Sequence, residues 1–253
     1  MKTLENRVAI ITGAGRGLGK NDAMVLAREG ATLALADIRD SVHNTKQEIE
    51  DAGGRASSYV FDLRSTEGIR SFVKNVKEEF GRIDILINNA ANVTNIAPIT
   101  KMDDEKWQLD VDVNLTAVYQ LSKEVLPIMK EQNGGRIIGM ASVAGTLGGY
   151  GQAGYSATKM GTIGLMKTLA LEGARYGITA NAIVPGIINT ELAKEQREVN
   201  FQMSERMRKR IAMERFGEPD DISELIAFLV SERAGYITGQ AITIAGGLDL
   251  FTF

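Results

Sequence analysis

The feature that most constrains this chain is its first apolar run. Val8–Thr12 ends in Gly13-Ala14-Gly15-Arg16-Gly17-Leu18-Gly19 and passes straight into an amphipathic stretch. A strand that stops at a glycine loop and restarts as a helix is one half of a βαβ unit. The pattern then repeats along the chain. Strand-like runs fall at Val8–Ile11, Thr32–Ala36, Ser58–Phe61, Ile83–Ile87, Arg136–Ala141, Ile178–Val184 and Ala241–Ile244. Helical periodicity occupies 18–29, 42–52, 66–80, 103–131, 152–176 and 219–230. Such alternation predicts an α/β fold: a doubly wound, Rossmann-type, seven-stranded parallel sheet with helices on both faces. Neither a linker nor an internal repeat interrupts it, so residues 1–253 are expected to form one domain.

The loop carries chemistry as well as topology. Glycines let the chain turn sharply and let a diphosphate reach the N–H groups at the helix N-terminus, where the macrodipole favours negative charge. The spacing is G-x-x-x-G-x-G, at Gly13, Gly17 and Gly19, rather than G-x-G-x-x-G. Asp37 closes the second strand, where a carboxylate can accept hydrogen bonds from the adenosine ribose. The same carboxylate repels a 2′-phosphate, which favours NAD(H) over NADP(H). Arg16 and Arg39 point the other way, since either can bind a phosphate.

Composition narrows the remaining chemistry. The 253 residues include no cysteine and one histidine, His43. Zinc sites of Cys and His, thiolate nucleophiles and disulfides are excluded, and no metal is expected. His43 reads as a surface residue, so acid–base work falls to Tyr, Lys, Asp or Glu. A net charge of −3 argues against a nucleic-acid partner. No apolar run is long enough to span a membrane, and Glu5 and Arg7 interrupt the place of a signal peptide, so a cytoplasmic location is expected. Tyr-x-x-x-Lys occurs twice, as Tyr119/Lys123 and Tyr155/Lys159. Spacing i, i+4 puts both side chains on one helix face. Tyr155 follows the loop 145–154 and the strand-end Ser142, at the sheet edge where open α/β sheets bind ligands. Tyr119 sits mid-helix among Val118, Leu121 and Val125 and is expected to pack.

These features together resemble the short-chain dehydrogenase/reductase family, over nearly the whole chain. The marks are Thr12-Gly-x-x-x-Gly-x-Gly19, Asp62-Leu63, Asn88-Asn89-Ala90, Asn114, Ser142, Tyr155-x-x-x-Lys159, and Pro185-Gly186 followed by Thr190. The resemblance implies that Tyr155 exchanges the hydroxyl proton while hydride passes between substrate and nicotinamide. It implies that Lys159 and the positive nicotinamide ring together lower the phenol's pKa, a shift of about three units or roughly 4 kcal/mol, and that Lys159 holds the ribose. It also implies that Ser142 bonds the substrate oxygen and that Asn114 positions a water-linked proton relay. Asp62 would read adenine and Thr190 the nicotinamide carboxamide. Arg16, Leu18, Leu63, Asn89, Pro185, Gly186 and Ile188 would complete the cofactor site.

Some positions depart from the family pattern. Ala91 stands where the Asn-Asn-Ala segment usually ends in glycine. Asn21 and Asp22 occupy apolar positions of the first helix, and Asp22 is expected to put a further carboxylate near the diphosphate. Substrate walls are expected at Val93–Ile96, Val143–Tyr150, Ile187–Ile188 and a segment at about 187–215. That segment reads as a lid or as a packed helix, with Met203, Met207 and Ile211 forming one apolar stripe.

The expected reaction is NAD(H)-dependent interconversion of a secondary alcohol and a ketone, with a small or cyclic apolar substrate. The lid cations Arg206, Arg208, Lys209 and Arg210 leave open an NADPH-dependent 3-oxoacyl-thioester reductase, or a plain solvated face. A non-catalytic dinucleotide sensor is the alternative of another class. The resemblance implies a homotetramer, with the tail Leu248–Phe253 placed either at a subunit interface or on its own chain.

Overall fold

The computed structural model describes residues 2–191, 193 and 201–250. Seven strands form one sheet: β1 (Val8–Thr12), β2 (Thr32–Asp37), β3 (Arg55–Val60), β4 (Ile85–Asn88), β5 (Gly135–Met140), β6 (Ile178–Pro185) and β7 (Ala241–Ile244). Their order is β3-β2-β1-β4-β5-β6-β7, and every pairing is parallel. This is the doubly wound sheet that the strand–helix alternation predicts. The chain starts at the centre, winds outward to β3, then crosses back to β4, so the order reverses between β1 and β4. Register aligns the carboxyl ends along one rim: Thr12 faces Ala36, Asn88 faces Gly139 and Pro185 faces Ile244.

The helices are α1 (Gly17–Arg28), α2 (Ser41–Asp51), α3 (Thr66–Phe80), α4 (Asp104–Val111), α5 (Ala117–Gln132), α6 (Val143–Leu147), α7 (Ala153–Gly173), α8 (Phe201–Arg208) and α9 (Pro219–Val230). Two apolar clusters lie on opposite faces of the sheet. One joins Ile10, Leu86 and Ile137 to Phe72, Leu121 and Met166; the other joins Ile11, Ile87 and Ile183 to Leu26, Ile222 and Ile226. Burial on both faces explains why β1 and β4 read as continuous apolar runs rather than alternating ones.

Three boundaries differ from the sequence reading. β3 begins at Arg55 rather than Ser58, because an edge strand tolerates Arg55 and Ser57 on a half-exposed face. The run expected as one helix over 103–131 is α4, a π-helical turn at Asp112–Thr116, and α5. α6 is a short helix that the glycine-rich sequence conceals; Ser142 caps it by accepting the N–H of Ala144 at 3.1 Å.

Part of the expected lid, residues 192 and 194–200, lies outside the described residues, as do Phe251, Thr252 and Phe253 of the expected tail. Within the lid, α8 leads to Ile211, which is 2% exposed. Among the described residues no helix is long and apolar enough to cross a membrane.

Candidate active site

The glycine loop is shaped by three separate requirements. Gly13 and Gly17 hold φ values of +66° and +58°, a region in which a side chain is strained. A Cβ on Gly19 would stand 2.2 Å from the Gly13 carbonyl oxygen, so α1 packs directly on the loop. A Cβ on Gly15 would meet Ser41 Oγ at 2.5 Å and Asp37 Oδ2 at 3.0 Å. The space beside Gly17 is open: the nearest atom to an added Cβ is on Thr190, 3.7 Å away. No side chain caps the N-terminus of α1, and no acidic residue stands in its first turn. A helix end of that kind presents donors and a positive dipole to an anion.

A cavity of about 560 Å³ opens from this loop, and its walls include Gly13, Arg16, Gly17, Asp37, Asp62, Leu63, Asn89 and Thr190. The nine-tenths-buried Asp37 accepts the Gly15 N–H through Oδ2 at 2.9 Å and the Arg39 N–H through Oδ1 at 3.0 Å. Asn89 donates through Nδ2 to the Thr12 carbonyl at 2.9 Å, tying the end of β4 to the loop. These residues fit a dinucleotide: a diphosphate at the uncapped helix, a ribose at Asp37, and an adenine against Leu63. Asp62 is engaged already. Its Oδ2 accepts Arg64 Nε at 2.8 Å, and the pair holds its carboxyl below the usual range. Leu18, Gly19, Pro185, Gly186 and Ile188 do not line the cavity. Ile188 is 8% exposed and bridges to Gly217.

Ser142, Tyr155 and Lys159 meet beside this cleft but do not form its walls. Ser142 follows β5 as the cap of α6, and its side chain stands beside the Tyr155 phenol, where it favours the ionised form. Burial nevertheless raises the phenol above its ordinary pKa, and the charge of Asp110 adds to the rise. Lys159 is 3% exposed, and its Nζ donates to the Met140 carbonyl at 2.5 Å while lying 5.5 Å from the centroid of the Tyr155 ring. Burial pushes the ammonium down to about 8. The i, i+4 spacing therefore puts the cation over the ring, not in a hydrogen bond to the hydroxyl.

Asn114 sits in the π-helical turn and is fully buried. Its Oδ1 accepts the Asn92 N–H at 2.7 Å and its Nδ2 donates to the Asn92 carbonyl at 3.0 Å. The side chain thus clamps the loop after β4. π-helical turns recur at functional sites because the inserted residue re-aims its neighbours.

Two sequence expectations are corrected. Asp22 is not beside the diphosphate site. It is fully buried between α1 and α9, where Oδ1 accepts the Ser223 hydroxyl at 2.6 Å and Oδ2 has no partner. Helix geometry turns position 22 toward α9, and burial pushes its carboxyl up to about 7. Tyr119 does not pack in the core: it is 45% exposed on α5, with Lys123 Nζ at 5.8 Å from its ring. His43 is exposed and pairs with Ser58 Oγ at 2.8 Å.

The sequence reading missed Asp110, Asn92 and Asn95. Asp110 Oδ1 accepts Asn92 Nδ2 at 2.7 Å and Asn95 Nδ2 at 2.9 Å. The signal was present: Asp110 lies four residues before Asn114, the spacing that shares a helix face.

Known proteins share this architecture and much of this sequence. The family described as enoyl-(acyl carrier protein) reductase matches residues 13–249. The chain is 38% identical to the 3-oxoacyl-(acyl-carrier-protein) reductase FabG of Thermotoga maritima, over 97% of this chain and 98% of that protein. Among solved structures, levodione reductase superposes with a TM-score of 0.93 at 32% identity, covering 98% of this chain and 100% of that one. NAD⁺-bound xylitol dehydrogenase gives a TM-score of 0.93 at 32% identity, with 97% and 100% covered.

Proposed function

Because this chain belongs to the short-chain dehydrogenase/reductase family of nicotinamide-dependent oxidoreductases, we propose that it interconverts a secondary alcohol and a ketone with NAD(H). The observation that carries this reading is the contact of Ser142 with the Tyr155 phenol, one turn from the buried Lys159 ammonium. When bound, the nicotinamide supplies or accepts the hydride.

The chain's own residues handle the proton and the geometry. Tyr155 gives its proton to the carbonyl oxygen in reduction and takes it back in oxidation. Ser142 donates a hydrogen bond to that oxygen, stabilising the charge that develops there. Lys159 contributes a buried positive charge over the phenol ring and would hold the ribose hydroxyls of a bound cofactor. Asn114, through its grip on Asn92, holds the loop that borders the pocket.

Arg16, Gly13, Gly17, Asp37, Asp62, Leu63, Asn89 and Thr190 would hold the dinucleotide from the loop to the nicotinamide. Pro185, Gly186, Leu18, Gly19 and Ile188 would support it from behind. Asp37 favours NAD(H), since a carboxylate at the end of β2 would repel a 2′-phosphate bound beside it. The substrate is a small or cyclic apolar alcohol. That reading is supported by the exposed side chains of Val93, Ile96, Leu147 and Tyr150, which crowd the loops flanking Ser142 and Asn92.

A second reading is an NADPH-dependent 3-oxoacyl-thioester reductase, favoured by the identity to FabG and by Arg16, Arg39 and Arg64 in the cavity wall. A matrix of NAD(H) and NADP(H) against cyclic, aliphatic, sugar and acyl-thioester substrates separates the two. The mechanism is tested by Tyr155→Phe: turnover drops by about 10²–10⁴ while cofactor binding persists. Full activity in that variant overturns it, and a protein that binds dinucleotide but turns over no substrate is a sensor.

A further inference from the structure

Asp110 is a carboxylate in an expensive position. It is 1% exposed, its Oδ2 has no hydrogen-bond partner, and burial raises its carboxyl above the ordinary value. An unpartnered polar atom in such a place costs stability, because its lost hydration is not replaced. A Cβ on Gly154 would stand 2.6 Å from that Oδ2, so the carboxylate lies against the backbone of the residue before Tyr155. The other oxygen is fully used by the amides of Asn92 and Asn95. Those two bonds need only an acceptor, and an asparagine at position 110 would provide one. Holding the loop therefore does not account for the charge.

We propose that Asp110 is a positioning residue for the reaction: its carboxylate, buried against Gly154 one residue before Tyr155, biases the site toward proton donation to a carbonyl. The proposal rests on Tyr155 being the acid–base group. It assigns the site a bias. Reduction of a carbonyl starts from a protonated phenol, whereas oxidation of an alcohol starts from an ionised one, and a fixed anion beside Tyr155 favours the first.

Few ionisable groups compete with this effect. From α7 come Tyr155 itself and Lys159, whose ammonium is committed to the Met140 carbonyl. On Asp110's own helix, Lys106 stands one turn earlier and offers its backbone carbonyl to Asn95. In the π-helical turn, Asp112 accepts from Gln108. The loop 89–98 contributes only amides to this point, and Ser142 is neutral.

The test reads Tyr155 directly. Phenolate absorbance is titrated in the full-length protein, each form referenced to its own Tyr155→Phe counterpart. In Asp110→Asn the Tyr155 midpoint falls by about one pH unit, and in Asp110→Glu it stays at the wild-type value. If Asp110→Asn does not fold, Asp110→Ser supplies the uncharged form. An unchanged midpoint in the uncharged variant overturns the proposal, including the case in which neither phenol ionises before the protein unfolds. An equal fall in Asp110→Glu also overturns it, because packing and not charge would then be responsible. Where substrate turnover is found, alcohol oxidation below both midpoints rises about tenfold in Asp110→Asn. Absence of turnover in the wild type defeats the proposed activity but leaves the titration, and hence this inference, decidable.

Discussion

Asp37 at the end of β2 accepts the backbone N–H of Gly15 at 2.9 Å, so the glycine loop itself orients the carboxylate expected to read the ribose. Glycine suits this approach, because a Cβ at position 15 would stand 2.5 Å from Ser41 Oγ and 3.0 Å from the same oxygen. The carboxylate and the glycine loop are thus one structural unit.

Replacing Asp37 with Ser removes the charge opposing a 2′-phosphate and leaves Arg16 and Arg39 in place. Affinity for NADP(H) relative to NAD(H) rises by about tenfold or more, measured by quenching of protein fluorescence or by calorimetry. An unchanged ratio would show that Asp37 does not face the phosphate position.

Ser142 serves α6 and Tyr155 at once, as cap to the Ala144 N–H and as partner to the phenol. Ser142→Ala lowers kcat/KM by about 10²-fold with cofactor affinity unchanged, whereas Ser142→Thr, which keeps the hydroxyl, restores most of it. Equal loss in both variants would assign the effect to packing.

Lys159 is held as a buried ammonium whose pKa falls from 10.5 to about 8. Below pH 8 it is charged in both folded and unfolded chains, and the full desolvation penalty applies. Between about 8 and 10.5 unfolding takes up a proton, so stability rises with pH until the penalty vanishes. Lys159→Met should therefore be more stable than wild type at neutral pH, on the order of 2–3 kcal/mol. Urea denaturation at a series of pH values checks it: the gap closes toward the alkaline end, and a constant gap refutes the account.

Asp22 gives the opposite trend. Its carboxyl ionises at about 7 in the folded chain against 3.8 in the unfolded one. Between those values unfolding releases a proton, so this group's contribution to stability is lost as pH rises and is level above about 7. Asp22→Asn keeps an acceptor for Ser223 and removes the charge. Its stability relative to wild type grows from acid to neutral pH by up to a few kcal/mol. Chemical denaturation at pH values spanning that window tests it, and parallel curves would exclude a buried, ionising Asp22.

Much of the site was legible because local rules govern it. The turn at Gly13–Gly19 must be glycine-rich wherever a strand enters a helix at a diphosphate site, and Tyr155 and Lys159 share a face because four residues nearly complete a turn. What those rules cannot convey is the direction a helix faces. Asp22 looks like a residue near the phosphate by its distance from Gly17, yet α1 turns it onto α9 and Ser223. Tyr119 and Tyr155 carry the same spacing to lysine, and only their packing separates an exposed surface pair from a half-buried tyrosine with a buried lysine beside Ser142.

The sequence by itself determined the order of the strands and the main crossover helices, the glycine loop, the carboxylate closing β2 and the Tyr–Lys pair, because each depends on residues close along the chain. Tertiary structure alone decided that Asp110 of α4 lies against Gly154 of α7, beside Tyr155, and that Asn92 and Asn114 lock together. Those contacts arise where crossover helices converge on one rim of the sheet. Electrostatic influence on the phenol depends on that through-space distance, which separation along the chain does not set.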